Sequence, residues 1–291
     1  MMRNRRAAVA GTWYPDTAPA LAAAVDGYLA AAGGEEAGDL TELVALIAPH
    51  AGLMYSGPVA AHAYRQLRDR PVGLVVLVGP SHFLGFDGVS IYRAGGFETP
   101  LGVADIDEEC ASAIMAAAPI VHERPAAHAR EHSLEMQLPF LKRVAPAARI
   151  VPLVMGRQAA ETARALGDAL GAVLKGRNAL LVASTDLSHY HDAATAARLD
   201  AVVIDHVSRF DADGLQRALD AEPEHACGGG PTVAVMRAAR HLGARDAVIL
   251  RYADSGDVSG DKSAVVGYLA AALGNNQVSS LKSQVSSKSH V

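Results

Sequence analysis

The stretch LVALIAPHAG, residues 43–52, sets the fold. Six apolar residues in a row, without polar alternation, read as a strand buried on both faces, and such strands belong to parallel sheets covered by helices. Pro49 ends the run and fixes the backbone just before His50, while Gly52 leaves room for close approach. The same arrangement returns twice. GLVVLVG (73–79) leads to Pro80-Ser81-His82, and ALLVASTDLS (179–188) leads to His189. In open α/β sheets, ligands bind in the crevice beyond the carboxyl ends of the strands. Three imidazoles delivered to one such edge predict a metal or catalytic constellation.

Around these strands the pattern alternates. Thr17 to Ala32 is an Ala-rich amphipathic helix closed by Gly33-Gly34. Further helices are expected over 57–68, 105–118, 133–144 and 158–174, with the strand RIVPLVMG (149–156) between the last two. Residues 86–104, rich in Gly, aromatic and β-branched residues, predict hairpin strands. Helices follow over 193–208 and 211–220, then one from the turn Cys227-Gly228-Gly229-Gly230-Pro231 to Leu242. AVILRYA (247–253) and SAVVGYLAAAL (263–273) are terminal strands. The alternation predicts one α/β domain over 1–273, its central sheet mostly parallel or mixed and flanked by helices. The polar, Ser-rich segment 274–291 is expected to be a disordered tail.

Composition narrows the function. Of 291 residues half are hydrophobic and one fifth charged, enough for a sizeable core, and the net charge of −5 argues against a nucleic-acid partner. Arg3, Arg5 and Arg6 form the one tight basic cluster, expected to be a solvated N-terminus. Two cysteines make no disulfide framework, and Cys110, inside an apolar helical pattern, is expected to be a small buried hydrophobe. There is no signal-like segment and no apolar run of the roughly 20 residues that spans a bilayer. These features predict a cytoplasmic protein without membrane association.

A polar side chain at a buried strand end is costly unless something satisfies it. Two neutral imidazoles plus one anionic ligand, with positions left open, is the arrangement of non-haem iron and of many zinc catalysts. The anionic ligand has two candidates. Asp186 stands three residues before His189, with orientation of an imidazole as its other role. Cys227 lies in a glycine turn ahead of a helix, where a thiol pKa is expected to fall, and Pro231 suits the helix's first position. In Arg130-Glu131-His132-Ser133, Ser133 is expected to cap the next helix, and His132 is either a pocket residue or part of that capping loop. His62, His122, His128, His191, His206, His225, His241 and His290 lack such a setting, with a small reservation for His225 beside Cys227.

Several ordered motifs carry a resemblance. They are AVAGTWYP (8–15), APHAG (48–52), GPSH (79–82), FETPLG (97–102), EHSLEMQLP (131–139), STDLSH (184–189) and Cys227-Gly228. At these residues the chain resembles the Memo family, called in prokaryotes the AmmeMemoRadiSam system protein B, from about residue 5 to 272. The resemblance implies a fold similar to class III extradiol dioxygenases, which cleave catechol rings with non-haem Fe(II) held by two histidines and a glutamate. Carried over, His50 and His82 are metal ligands, and Cys227 stands where the glutamate does. His189 takes the acid/base position with Asp186 beside it, and His132 lines the same pocket. A thiolate is softer than a carboxylate, favours iron, Cu(I) or zinc, and is itself oxidisable. The resemblance therefore implies Fe(II) first, with copper or zinc as alternatives. It also implies association with a radical-SAM protein and an AMMECR1-domain protein.

Three functions compete. The first is a redox or oxygenase-like metalloprotein holding Fe(II) or copper through His50, His82 and Cys227, with His189 moving protons. The second is a non-catalytic module that recognises a small molecule, partner protein or phosphopeptide in the same pocket. The third, a Cys–His hydrolase with Cys227 as nucleophile and His189 as base, leaves His50 and His82 without a role.

Overall fold

The computed structural model describes residues 4–33 and 40–276. The first half runs through Ala18–Ala31 (α1), Glu42–Ala48 (β1), Leu53–Arg65 (α2), Leu74–Pro80 (β2), Val89–Ile91 (β3), Gly96–Thr99 (β4), Gly102–Asp105 (β5), Glu108–Ala117 (α3), Val121–Glu123 (β6), Pro125–His128 (α4) and Leu138–Val144 (α5). The second half runs through Arg149–Met155 (β7), Ala160–Leu174 (α6), Ala179–Ser184 (β8), His189–His191 (β9), Ala193–Ser208 (α7), Ala212–Ala221 (α8), Gly229–His241 (α9), Asp246–Asp254 (β10), Gly256–Ser259 (α10) and Val265–Asn275 (β11).

The sheet is mixed, in the order β10-β11-β1-β8-β2-β7-β3-β6, with β9 pairing β11. Its four central strands, β1, β8, β2 and β7, are parallel. These are the unbroken Val/Leu/Ile/Ala runs, and β2 is buried along its whole length, as expected where helices cover both faces. The flanks turn antiparallel: β11 against β1, β10 against β11, β3 against β7. The expected hairpin over 86–104 divides. β4 and β5 make the hairpin, whereas β3 joins the main sheet. Helices α1, α2 and α5 pack together on one side, and α6, α8 and α9 on the other.

Most element bounds fall within a few residues of expectation, and several local expectations fail. The helix predicted from 133 begins as a 3-10 turn at Glu135–Gln137 and becomes α5 only at Leu138. Ser133 does not cap it, because its hydroxyl donates to the Pro80 carbonyl at 3.0 Å. Arg5 is also not part of a solvated terminus. It is 4% exposed, paired with Glu135, and donates to the carbonyls of Glu131 and His128. The C-terminal strand carries through Asn275, so the first residues of the expected tail are ordered, and 277–291 lie outside the described residues.

Candidate functional site

The ends of β1, β2 and β8 carry the site. Thr185 N–H donates to the Ala48 carbonyl, which fastens the end of β8 beside that of β1. Ser81 N–H likewise holds the end of β2 to Met155 of β7. Two glycines let the surrounding backbone close in. A Cβ on Gly79 would sit 2.8 Å from both Ser133 Oγ and Leu134 Cδ2, so its absence admits the 131–135 loop against β2. A Cβ on Gly228 would sit 2.4 Å from the Ser184 carbonyl, so only glycine lets the Cys227 turn reach β8.

His50 is buried, and its backbone N–H donates to Asp186 Oδ1 at 2.7 Å. Its ring Nδ1 lies 2.8 Å from Ser184 Oγ. The neighbours decide who donates there. Gln137 Nε2 donates to both the Pro49 carbonyl and Ser184 Oγ, and the Ser184 hydroxyl donates to the Ser133 carbonyl. Ser184 has then spent its hydrogen, so Nδ1–H of His50 is the donor and Nε2 keeps its lone pair. His82 uses Nδ1 as its donor too, to Glu131 Oε1 at 2.8 Å. His189 does so as well, with its Nδ1–H on the Leu187 carbonyl at 2.8 Å. A ring whose Nδ1–H is held by an acceptor offers Nε2 as a ligand or a base.

Glu131 organises one side. It accepts from the His82 backbone and ring and from the backbone N–H groups of His132 and Ser133. Burial alone would raise its pKa, but these bonds, those from His82 foremost, bring it down to about 2. His132 belongs to the ring cluster of the site and does not cap the helix that follows. Its ring stacks on His82 at 4.4 Å, meets Trp13 at 4.3 Å, and lies 5.6 Å from His50. Its buried Nδ1 has no hydrogen-bond partner. Burial first, then the neighbouring His50 and His82, lowers its pKa to about 4. The same causes, burial and then His82, hold His50 well below the ordinary imidazole value.

Cys227 closes the other side. Its Sγ lies 3.3 Å from His50 Nε2 and accepts the Asp186 N–H at 3.3 Å. The expected fall in its pKa does not occur. Burial, reinforced by the Asp186 carboxylate, pushes the thiol far above its usual range, and desolvation of a thiolate outweighs the helix terminus. The helix itself begins at Gly229, so Pro231 lies in its first turn and not at its first position. Asp186 is buried, and burial raises its pKa against the His50 N–H bond that lowers it.

Among the described residues, two groups bring their ligand atoms within 4.8 Å of one another: His50, His82 and His132, and His50, Asp186 and Cys227. His50 is common to both. His82 and Cys227 do not meet in one group, so the expected trio is joined through His50. His189 stands outside both groups, yet close enough to act electrostatically on His50 and Asp186. The free Nε2 atoms, the unpartnered His132 nitrogen and the soft sulfur form a donor set that fits a transition metal. His206, His241 and His191, expected to be bystanders, belong to neither group and pair with Asp211, Asp168 and Glu224. His290 lies outside the described residues. Ser184 and Gln137 each sit in a motif that also carries a site residue, whereas Trp13 sits in AVAGTWYP, which carries no other, so nothing in its own motif points to the site.

The Memo-like protein family model matches residues 5–272. A MEMO1 family protein of Methanothermobacter thermautotrophicus is 40% identical over 276 residues, covering 91% of this chain and 98% of its own. One from Methanopyrus kandleri is 38% identical over 278 residues, covering 92% and 98%. An uncharacterized protein from Escherichia coli K12, solved by crystallography, superposes with a TM-score of 0.52 at 17% identity, covering 78% of this chain and 99% of that one. That last likeness speaks to fold alone. The chain belongs to the Memo family.

Proposed function

We propose that this Memo-family chain is a redox or oxygenase-like metalloprotein that holds Fe(II) or, as alternatives, copper or zinc through His50, His82 and Cys227. The observation that carries the reading is the shared tautomer of the strand-end histidines. His50 and His82 each have Nδ1–H held by an acceptor and Nε2 left over, beside a thiol 3.3 Å from His50 Nε2. A structural histidine needs no such uniformity, whereas metal ligands use it to fix ring orientation and basicity.

Bound Fe(II) or copper supplies redox chemistry and a Lewis acid at the strand ends. The chain's own residues do the rest. Ser184 and Gln137 keep His50 in register, and Glu131 does the same for His82. Asp186 holds the His50 backbone and sits against the sulfur of Cys227. His189, locked on the Leu187 carbonyl, leaves its Nε2 to take up or release a proton. No helix among the described residues is long and apolar enough to cross a membrane.

One observation favours the second reading, a non-catalytic module for a partner protein or phosphopeptide. Trp13, Phe83 and Tyr190 are 37%, 46% and 79% exposed beside the site, and Arg130 lies over the Phe83 ring at 4.7 Å. An exposed apolar rim is the mark of an interaction surface. A radical-SAM protein and an AMMECR1-domain protein are the partners we propose from the resemblance. Metal content after anaerobic purification, by elemental analysis and EPR on wild type and Cys227→Ser, separates the readings. Near-stoichiometric iron or copper that drops in the variant supports the metal centre. Protein that stays empty when offered Fe(II), Cu(I) and Zn(II) sinks it and leaves the binding module.

A further inference from the structure

The ring contacts of the site form a line that leads out of it. His82 stacks on His132 at 4.4 Å with 23° between the planes, and His132 meets Trp13 at 4.3 Å. The line ends at the chain's single tryptophan, 37% exposed. Trp13 does not ride on a loose terminus. Glu135 pairs with Arg5 and accepts from the Ala8 and Val9 N–H groups and the Tyr14 hydroxyl, while the Trp13 carbonyl accepts from Leu53 N–H. A fully buried Arg–Glu pair is costly to desolvate. Its effect here is to hold an easily oxidised indole against the imidazole that stacks on His82.

We propose that Trp13 is an electron relay for the site, giving electrons through His132 and His82 when the centre is oxidised and so sparing Cys227. This rests on the redox reading above. The need for it is chemical, because a thiolate beside a redox metal is driven irreversibly to sulfinic and sulfonic acid. With hydrogen peroxide as oxidant, the O–O bond breaks, and two electrons and two protons convert it to two waters. The indole supplies both electrons. It takes one oxygen from water, exchanges a ring C–H bond for C–O, and releases two protons. The net conversion is indole plus peroxide to hydroxyindole plus water.

The oxygen source makes the relay testable. Full-length protein is loaded anaerobically with Fe(II), its iron content is measured, and it is treated with peroxide in water labelled with heavy oxygen. Peptide mass mapping should find Trp13 hydroxylated with oxygen from the water. Met54, 56% exposed, takes its oxygen directly from peroxide when it forms the sulfoxide, so it should carry none of the water label that marks Trp13. Trp13→Phe should carry several-fold more sulfinic and sulfonic acid at Cys227. His132→Leu, compared at equal bound iron, should lose most of the Trp13 label. Peroxide-derived oxygen on Trp13, or equal Cys227 oxidation in wild type and Trp13→Phe, overturns the relay while the measured iron leaves the redox reading standing. Protein that takes up no Fe(II) overturns both.

Discussion

Glu131→Gln removes one negative charge from beneath His82 and His132 and leaves the shape nearly unchanged. The carboxylate accepts four hydrogen bonds, at 2.6 to 2.9 Å. Burial works against its charged form, but those bonds win and bring its pKa from 4.5 to about 2. At roughly 1.4 kcal/mol per pKa unit, that interval is worth about 3 kcal/mol of folding stability at pH 7. The sign follows from the direction. A carboxylate with a depressed folded pKa stabilises fully above its unfolded value of 4.5 and loses that contribution as pH falls toward 2. Urea unfolding by circular dichroism should therefore show the variant about 3 kcal/mol less stable at pH 7. The gap should narrow by about 2 kcal/mol between pH 5 and pH 3. His50 and His132 are present in both proteins, so the part of their acid response that comes from burial cancels in the difference, whereas Glu131 raises both pKa values and its loss works against the narrowing. A gap below about 1 kcal/mol at pH 7, or one that ignores pH, would refute the assignment of Glu131 as the charged anchor.

Two further changes test the packing and the tautomer lock. Gly228→Ala forces a Cβ to 2.4 Å from the Ser184 carbonyl, so stability should fall by about 1–3 kcal/mol and Cys227 should alkylate faster, by denaturation and mass spectrometry. Wild-type behaviour in both would mean the turn has slack that the structure does not show. Ser184→Ala deletes the acceptor of His50 Nδ1–H and should weaken metal binding by about 10–100-fold in competition with a chromophoric chelator. Unchanged affinity would show that His50 needs no lock.

The central strands were legible because their information is local. Proline and histidine immediately after 43–48 and 73–79 mark both a strand end and the residue it delivers. The flanks were not, since nothing within SAVVGYLAAAL says that β11 inserts between β10 and β1 and runs against both. Pairing order is decided by distant partners. The site divides in the same way. Strand-end position argued for histidines at one edge of the sheet, but the split into two groups that share His50, with His189 outside both, and their proton chemistry could not be read from the chain. The glycine turn argued for an acidic Cys227, and burial beside Asp186, a tertiary fact, reversed it. Arg5 looked like one of three solvated arginines until Glu135, 130 positions away, turned out to be its partner. Ser133 had the right residue type for a cap, but the close approach allowed at Gly79 gave its hydroxyl a better acceptor in Pro80.

Those proton states bear on the metal reading itself. Burial keeps His50 and His132 uncharged, the Cys227 thiol protonated, and Asp186 easier to protonate than a free carboxylate. The one firmly ionised group is Glu131, and its charge is already used by four donors. A pocket built to recognise an anion would hold its imidazoles charged, and one built for a thiolate nucleophile would hold Cys227 ionised. This one instead keeps a lone pair on His50 and a proton on sulfur that a cation can displace. The cost of burying a thiolate beside Asp186 is offset only when a positive ion arrives with it. The raised Cys227 pKa thus counts against a Cys–His hydrolase, and it is compatible with a metal site, where an arriving cation displaces the proton.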